Sequence, residues 1–202
     1  GRPVSADFSL FLPLGFRHIA DLRSADHILF VAALTAAYAP REWTRIAWLV
    51  TAFTAGHSVS LALATFDVVR VQARAVEIAI TATIIVTALV AIHDQHRPTT
   101  TKPALASRYA AAGIFGLIHG LGFSNYLRAL LGGESDLVVP LLAFNVGLEL
   151  GQLLIVAAVL AAGVAVERGL KWPRRDWVLV LSGATAGVGV TMFITRVLDV
   201  RA

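Results

Sequence analysis

The feature that most constrains this chain is the segregation of its charges. Long uncharged apolar runs alternate with short charged breaks. A helix needs about 20 apolar residues to cross a ~30 Å hydrocarbon core, and the runs have that length. The pattern is that of an all-α polytopic membrane protein. The composition agrees, at 57% hydrophobic and 15% charged, with a mean hydropathy of +0.74.

The runs predict six transmembrane helices, at about 25–39, 44–66, 73–93, 106–131, 137–166 and 176–197. Ser24 is placed to cap the first, and Pro40 stops it. Fifteen residues at 1.5 Å each give that helix only about 22 Å. Residues 8–20 are therefore expected to complete its depth as a broken or half-inserted segment, since the run Phe8–Phe16 contains Pro13 and is too short to span alone. The whole of 1–202 is read as one membrane domain. It comprises an external or half-inserted segment 1–24, a three-helix unit 25–93 and a second unit 106–197.

Orientation follows from the basic residues between runs. One side carries nine: Arg41, Arg45, Arg97, Lys102, Arg108, Arg168, Lys171, Arg174 and Arg175. The other carries Arg70, Arg74 and Arg128, together with the acidic Glu134 and Asp136. The positive-inside rule makes the loops 40–45, 94–107 and 167–175 cytoplasmic in a bacterial inner membrane, with the N-terminus external. Arg2, Arg17 and Arg23 count against this. Trp43, Trp48, Trp172 and Trp177 flank the spans as interfacial anchors.

A net charge of +4 does not indicate a nucleic-acid partner, because the basic residues are scattered between apolar runs. The partner implied is the lipid bilayer. The absence of cysteine removes thiolate chemistry. Imidazole, carboxylate and amide oxygen remain as ligands, which suit nickel, cobalt, zinc or manganese better than copper(I). No motif for an organic cofactor is present.

Polar groups inside the runs are expensive and usually functional. Asp26 and His27 open the first helix, with His18 upstream. In the second, Thr51, Thr54, His57 and Ser58 share a face. The fourth holds His119 beside Gly116 and Gly120, a small-xxx-small pair that admits a second backbone. The fifth has Asn145, Glu149 and Gln152 on one arc. Thr54, Ser58, Asn145 and Gln152 read either as a substrate pathway or as interhelical hydrogen-bonding groups. His93-Asp94-Gln95-His96 reads as a solvated loop, with a low-affinity exit site as the alternative.

A faint internal echo pairs Ala52–Gly56 with Ala143–Gly147, and His27 with His119 at nearly the same offset. Two three-helix units of opposite orientation would make an inverted repeat, the plan of many transporters.

The segments GFRHI (15–19), ADHILF (25–30), TAFTAGHS (51–58), FGLIHGLGF (115–123) and FNVGLELGQ (144–152) together resemble the HupE/UreJ family of bacterial membrane permeases, and most closely its subgroup with a Thr-Ala-Phe-Thr second helix. The resemblance implies six spans after a cleaved signal sequence, and uptake of nickel or a similar divalent metal in some members. It carries the family's histidines and acidic residues onto His18, Asp26, His27, His57, His119 and Glu149. The family usually places five residues between its first histidine and the Asp-His pair, whereas seven intervene here. On one continuous helix His18 and His27 would lie about 180° apart. Either the chain breaks near Arg23-Ser24 or His18 is no partner of His27.

Three functions are open at this point. The first is a secondary permease for a divalent transition metal, with nickel favoured and no catalytic residues. The second is a metal-dependent intramembrane enzyme using the same His/Asp/Glu set; a serine protease built on Ser124 would call for a histidine on a later helix, none follows His119, and nothing supports a Ser124–His57 pair. The third is an accessory or metal-sensing subunit of a membrane complex, or a homo-oligomer.

Overall fold

The computed structural model describes residues 4–22, 25–96, 105–131 and 137–198, and the side chains of Val4, Ser5, Asn125, Arg128 and Leu131 are not among those described. Ser24, expected to cap the first membrane helix, lies outside the described residues, as do Arg2, Arg23, Arg97, Lys102, Glu134 and Asp136 of the charge count.

All regular structure among the described residues is helical. The helices are α1 (Val4–Ile19), α2 (Asp26–Ala36), α3 (Trp43–Thr65), α4 (Ala73–Asp94), α5 (Leu105–Leu131), α6 (Val138–Gly169) and α7 (Arg174–Leu198), with a 3₁₀ turn, Pro40–Glu42, leading into α3. Four segments are long and apolar enough to cross a membrane: Pro40–Thr65, Ala73–Asp94, Val138–Gly169 and Arg174–Leu198. The chain is thus an integral membrane protein by the character of its helices, with four of the six expected spans met on length and apolarity together. At 27 residues α5 is long enough but less apolar, while α2, with 11 residues, is only about 16 Å long.

Pro13 does not break the N-terminal run, as the sequence suggested; it lies inside α1. Proline is tolerated within membrane helices when neighbouring groups re-satisfy the freed backbone.

Cross-helix contacts fix the direction of each helix. α3 and α5 run parallel, with Gly56 against Gly113 and Leu117, and Gly120 against His57 and Ser60. α1 and α6 are also parallel, with Gly147 against Leu12 and Phe16, and Gly151 against Phe16 and Ile19. α4 opposes both α5, through Thr83–His119 and Asp94–Arg108, and α7, through Arg74–Val197 and Glu77–Arg196. Asp26 and the Glu77 carbonyl share Arg196, and Tyr38 and Asp94 share Arg108, so α2 runs alongside α4 in the same direction. α1 ends beside the first half of α6, and α2 carries on towards its far half. The two short helices therefore follow one another, α1 ending at Ile19 and α2 starting at Asp26.

The two parallel crossings have nearly the same contact pattern. A Cβ on Gly116 would overlap the Phe53 carbonyl oxygen and approach the His57 nitrogen; one on Gly15 would meet Phe144 and Leu148 in the same way. Gly56 against Gly113 and Leu117 is matched by Gly147 against Leu12 and Phe16. In both crossings the glycines bring backbone against backbone, the packing that small residues permit in membranes.

Candidate metal-binding site

The break between α1 and α2 is what assembles the site. Because the chain turns after Ile19 and restarts at Asp26, His18 and His27 face each other with ring centroids 4.7 Å apart. The longer spacing that would have opposed them on one helix is absorbed by the break. His27 is the hub: its ring lies 5.9 Å from His57 and 5.0 Å from His119, and His18 lies 6.1 Å from His57. Four helices each supply one imidazole. The Gly116 crossing holds His57 and His119 on neighbouring backbones.

These rings are largely dry and largely unpaired. His57 and His119 are fully buried, His27 is 4% exposed, and His18 is half-buried. Six buried ring nitrogens lack a hydrogen-bond partner: Nε2 of His18, both of His27, both of His57, and Nδ1 of His119. A buried polar atom left unsatisfied costs roughly 1–3 kcal/mol, so such a concentration calls for an explanation beyond packing. A metal at 2.0–2.1 Å from each imidazole nitrogen would set neighbouring ring centroids roughly 5 Å apart, close to the spacing around His27. Among the described residues, no group of three or more His, Asp or Glu side chains is arranged so that it could hold a metal ion in this conformation.

Asp26 stands beside the hub. Its carboxylate lies 3.5 Å from His27 Nδ1, accepts from the His27 backbone N–H at 3.1 Å, and pairs with Arg196 at 3.3 Å. Arg196 also donates to the Glu77 carbonyl at 3.0 Å. The sequence reading missed Arg196, although an intramembrane carboxylate calls for a partner. It also missed Thr83, whose hydroxyl lies 2.9 Å from His119 Nε2.

Glu149 does not join the imidazoles. Its carboxylate accepts from Thr51 at 2.6 Å, six residues before His57 on α3. Gln152 Oε1 accepts from Thr54 at 2.8 Å. These two bonds tie α3 to α6 beside the cluster. Ser58 donates to the Thr54 carbonyl of its own helix, and Asn145 donates to Leu141 with its Oδ1 buried and unpartnered. Ser124 donates to the Leu121 carbonyl, and no contact pairs it with His57.

Aromatic rings enclose the cluster. Phe30, Phe53 and Phe115 each sit about one turn from a histidine, on the side towards the connection at residues 37–42. Phe30 lies 4.8 Å from Phe53, 6.0 Å from Phe115 and 5.0 Å from His119. Towards the opposite end, His18 packs on Phe123 at 3.9 Å, and Phe123 stacks on Phe144 at 5.1 Å. A cavity of about 680 Å³ reaches the site at that end, lined by Arg17, His18, Asp21, Phe123 and Tyr126. At the other end two smaller cavities, of about 180 and 290 Å³, meet at Tyr38, Asp94 and Arg108, and Phe115 lines the first. Asp94 is buried there and pairs with Arg108 at 2.5 Å, which corrects its reading as part of a solvated loop; His93 and His96 are exposed.

A bundle of long apolar helices enclosing a buried cluster of imidazoles defines a polytopic membrane protein. The sequence family described as HupE / UreJ protein matches residues 2–197, and the chain belongs to it. That family is associated with nickel and cobalt transport. The chain matches no curated protein and no solved structure.

Proposed function

We propose that the chain is a secondary permease for a divalent transition-metal ion, with nickel the favoured cargo and cobalt, zinc and manganese the competitors. The observation that carries this is the set of six unpartnered ring nitrogens gathered on four helices around His27. Neutral imidazoles with a nearby carboxylate suit a borderline metal. His18, His27, His57 and His119 would supply nitrogen donors. Asp26 would move from Arg196 towards the ion, so that Arg196 balances the carboxylate when no ion is bound. Glu149, Thr51, Gln152, Thr54, Asn145 and Ser58 would line a polar path along α3 and α6.

The ion would enter through the cavity at His18 and leave past Phe30, Phe53 and Phe115, whose rings form an apolar barrier towards the Asp94–Arg108 pair. Passage requires the two ends to open alternately. The duplicated glycine crossings support an inverted repeat in which α1, α3 and α4 correspond to α5, α6 and α7, with α2 inserted. On this pairing His18, and not His27, is the counterpart of His119. α1 and α2 together would form the broken sixth span, the arrangement in which irregular backbone at membrane depth lines a site. Counting basic residues puts the 37–42 end in the cytoplasm and the His18 cavity outside an inner membrane.

Equilibrium nickel binding in detergent tests the site. The wild type should bind one ion, with affinity falling as acid protonates the rings, because imidazole must be neutral to coordinate. His27→Ala should abolish binding, while Glu149→Gln should keep it. Wild-type affinity unchanged in His27→Ala would end this reading.

A further inference from the structure

We infer that Thr83 is a positioning residue: it holds His119 as the tautomer protonated on Nε2, leaving the Nδ1 lone pair for the ion. What that lone pair serves rests on the permease reading, whereas the tautomer follows from hydrogen-bond accounting alone.

A threonine hydroxyl has one proton to give. Thr83 Oγ1 lies 2.7 Å from the Ile80 carbonyl, in donor geometry, and 2.9 Å from His119 Nε2. With its proton directed at Ile80, the hydroxyl can only accept from the ring, so Nε2 carries the hydrogen. The other ring nitrogen supports the same assignment. Nδ1 is buried and has no partner. A proton there would be an orphaned buried donor, rarer in proteins than an under-satisfied acceptor. An unprotonated Nδ1 instead keeps a lone pair, which a cation can satisfy. Thr83 is 5% exposed and His119 fully buried, so water does not compete for either group.

The arrangement matches a recurrent feature of metal sites, in which the ring nitrogen opposite the ligand donates to a protein oxygen that fixes tautomer and orientation. Here the oxygen is a hydroxyl on α4. Thr83 thus couples the imidazole on α5 to the helix that also carries Asp94 and Glu77.

The test begins without metal. Imidazole nitrogen NMR of ¹⁵N-histidine protein in detergent, with His119 assigned by difference against His119→Gln, should show a neutral ring protonated on Nε2. Thr83→Val preserves shape and removes the acceptor. In that variant the Nε2–H signature should be lost, and nickel affinity should fall about 10- to 100-fold. Thr83→Ser should restore both. A wild-type His119 protonated on Nδ1 overturns the inference, and so does a Thr83→Val protein with unchanged spectrum and affinity. If the wild type binds no nickel, the proposed function fails, and the tautomer assignment still stands or falls on the metal-free spectrum.

Discussion

Replacing Gly116 with alanine should damage both the fold and the site, and the structure sets the size of the effect. Alanine in a helix is intrinsically better than glycine by about 1 kcal/mol. At Gly116, however, the new Cβ overlaps the Phe53 carbonyl oxygen and lies only 3.0 Å from the His57 nitrogen. Ordinary contacts between heavy atoms have their optimum at about 3.5–4.0 Å. Both obstacles are backbone, so no rotamer change relieves them and α3 must move away from α5. Overpacking of this kind costs about 1–3 kcal/mol and more where relaxation is blocked, so a net loss of about 2 kcal/mol is expected. His57 and His119 would separate with their helices, and nickel affinity should fall at least about tenfold. Gly183 provides the control: nothing lies within 4 Å of its Cβ position, so Gly183→Ala should be neutral or slightly stabilising. Unfolding midpoints in detergent measure both. Equal stability of Gly116→Ala and wild type would refute the claim that this crossing fixes the site.

Other expectations follow from the same contacts. Arg108→Met strands Asp94, whose side chain is only 3% exposed and whose Oδ1 already lacks a partner. It should destabilise by about 3 kcal/mol, reduced by the partial exposure of Arg108, and much more than Arg45→Met at an exposed pair; similar losses for the two variants would contradict a buried ion pair. Arg196→Gln frees Asp26 from its cation, so nickel should bind more tightly while the metal-free protein loses stability; weaker binding would show that Arg196 orients Asp26 instead of competing with the ion. The chain contains no cysteine, so single cysteines report orientation directly. In intact cells Asp67→Cys should react with an impermeant thiol reagent, and Arg41→Cys and Lys171→Cys should not; labelling of all three would contradict the orientation proposed.

The sequence disclosed what hydropathy and composition can carry. Long apolar runs located α3 to α7 within a few residues, and isolated polar groups in these runs and in the one before them pointed to His27, His57 and His119. The Ala-Phe-x-x-Gly echo marked a real feature, since Gly56 and Gly147 make equivalent crossings. Helix length and spacing raised a break between the N-terminal segment and the first helix, but periodicity could not convey whether it turned His18 towards His27. The place of His18 was therefore open, and the echo was matched to His27. Glu149 looked like a ligand because a lone carboxylate needs a partner, yet a hydroxyl on Thr51 is enough to hold it. Asp94 looked solvated because it lies next to a loop; only the packing of α2 and α5 over it makes it buried. Thr83 gave no signal at all among the threonines of α4, because its role depends on which ring nitrogen it meets.

Metal flux in proteoliposomes tests the central claim most directly. Wild-type protein reconstituted around a metal-sensitive dye should admit nickel, with cobalt, zinc and manganese compared in parallel under imposed pH gradients. His27→Ala, reconstituted to the same density, should reduce entry to the rate of protein-free vesicles. No entry of any of the four ions through the wild type, under any gradient, would contradict the permease account and leave a binding or sensing role for the imidazole cluster.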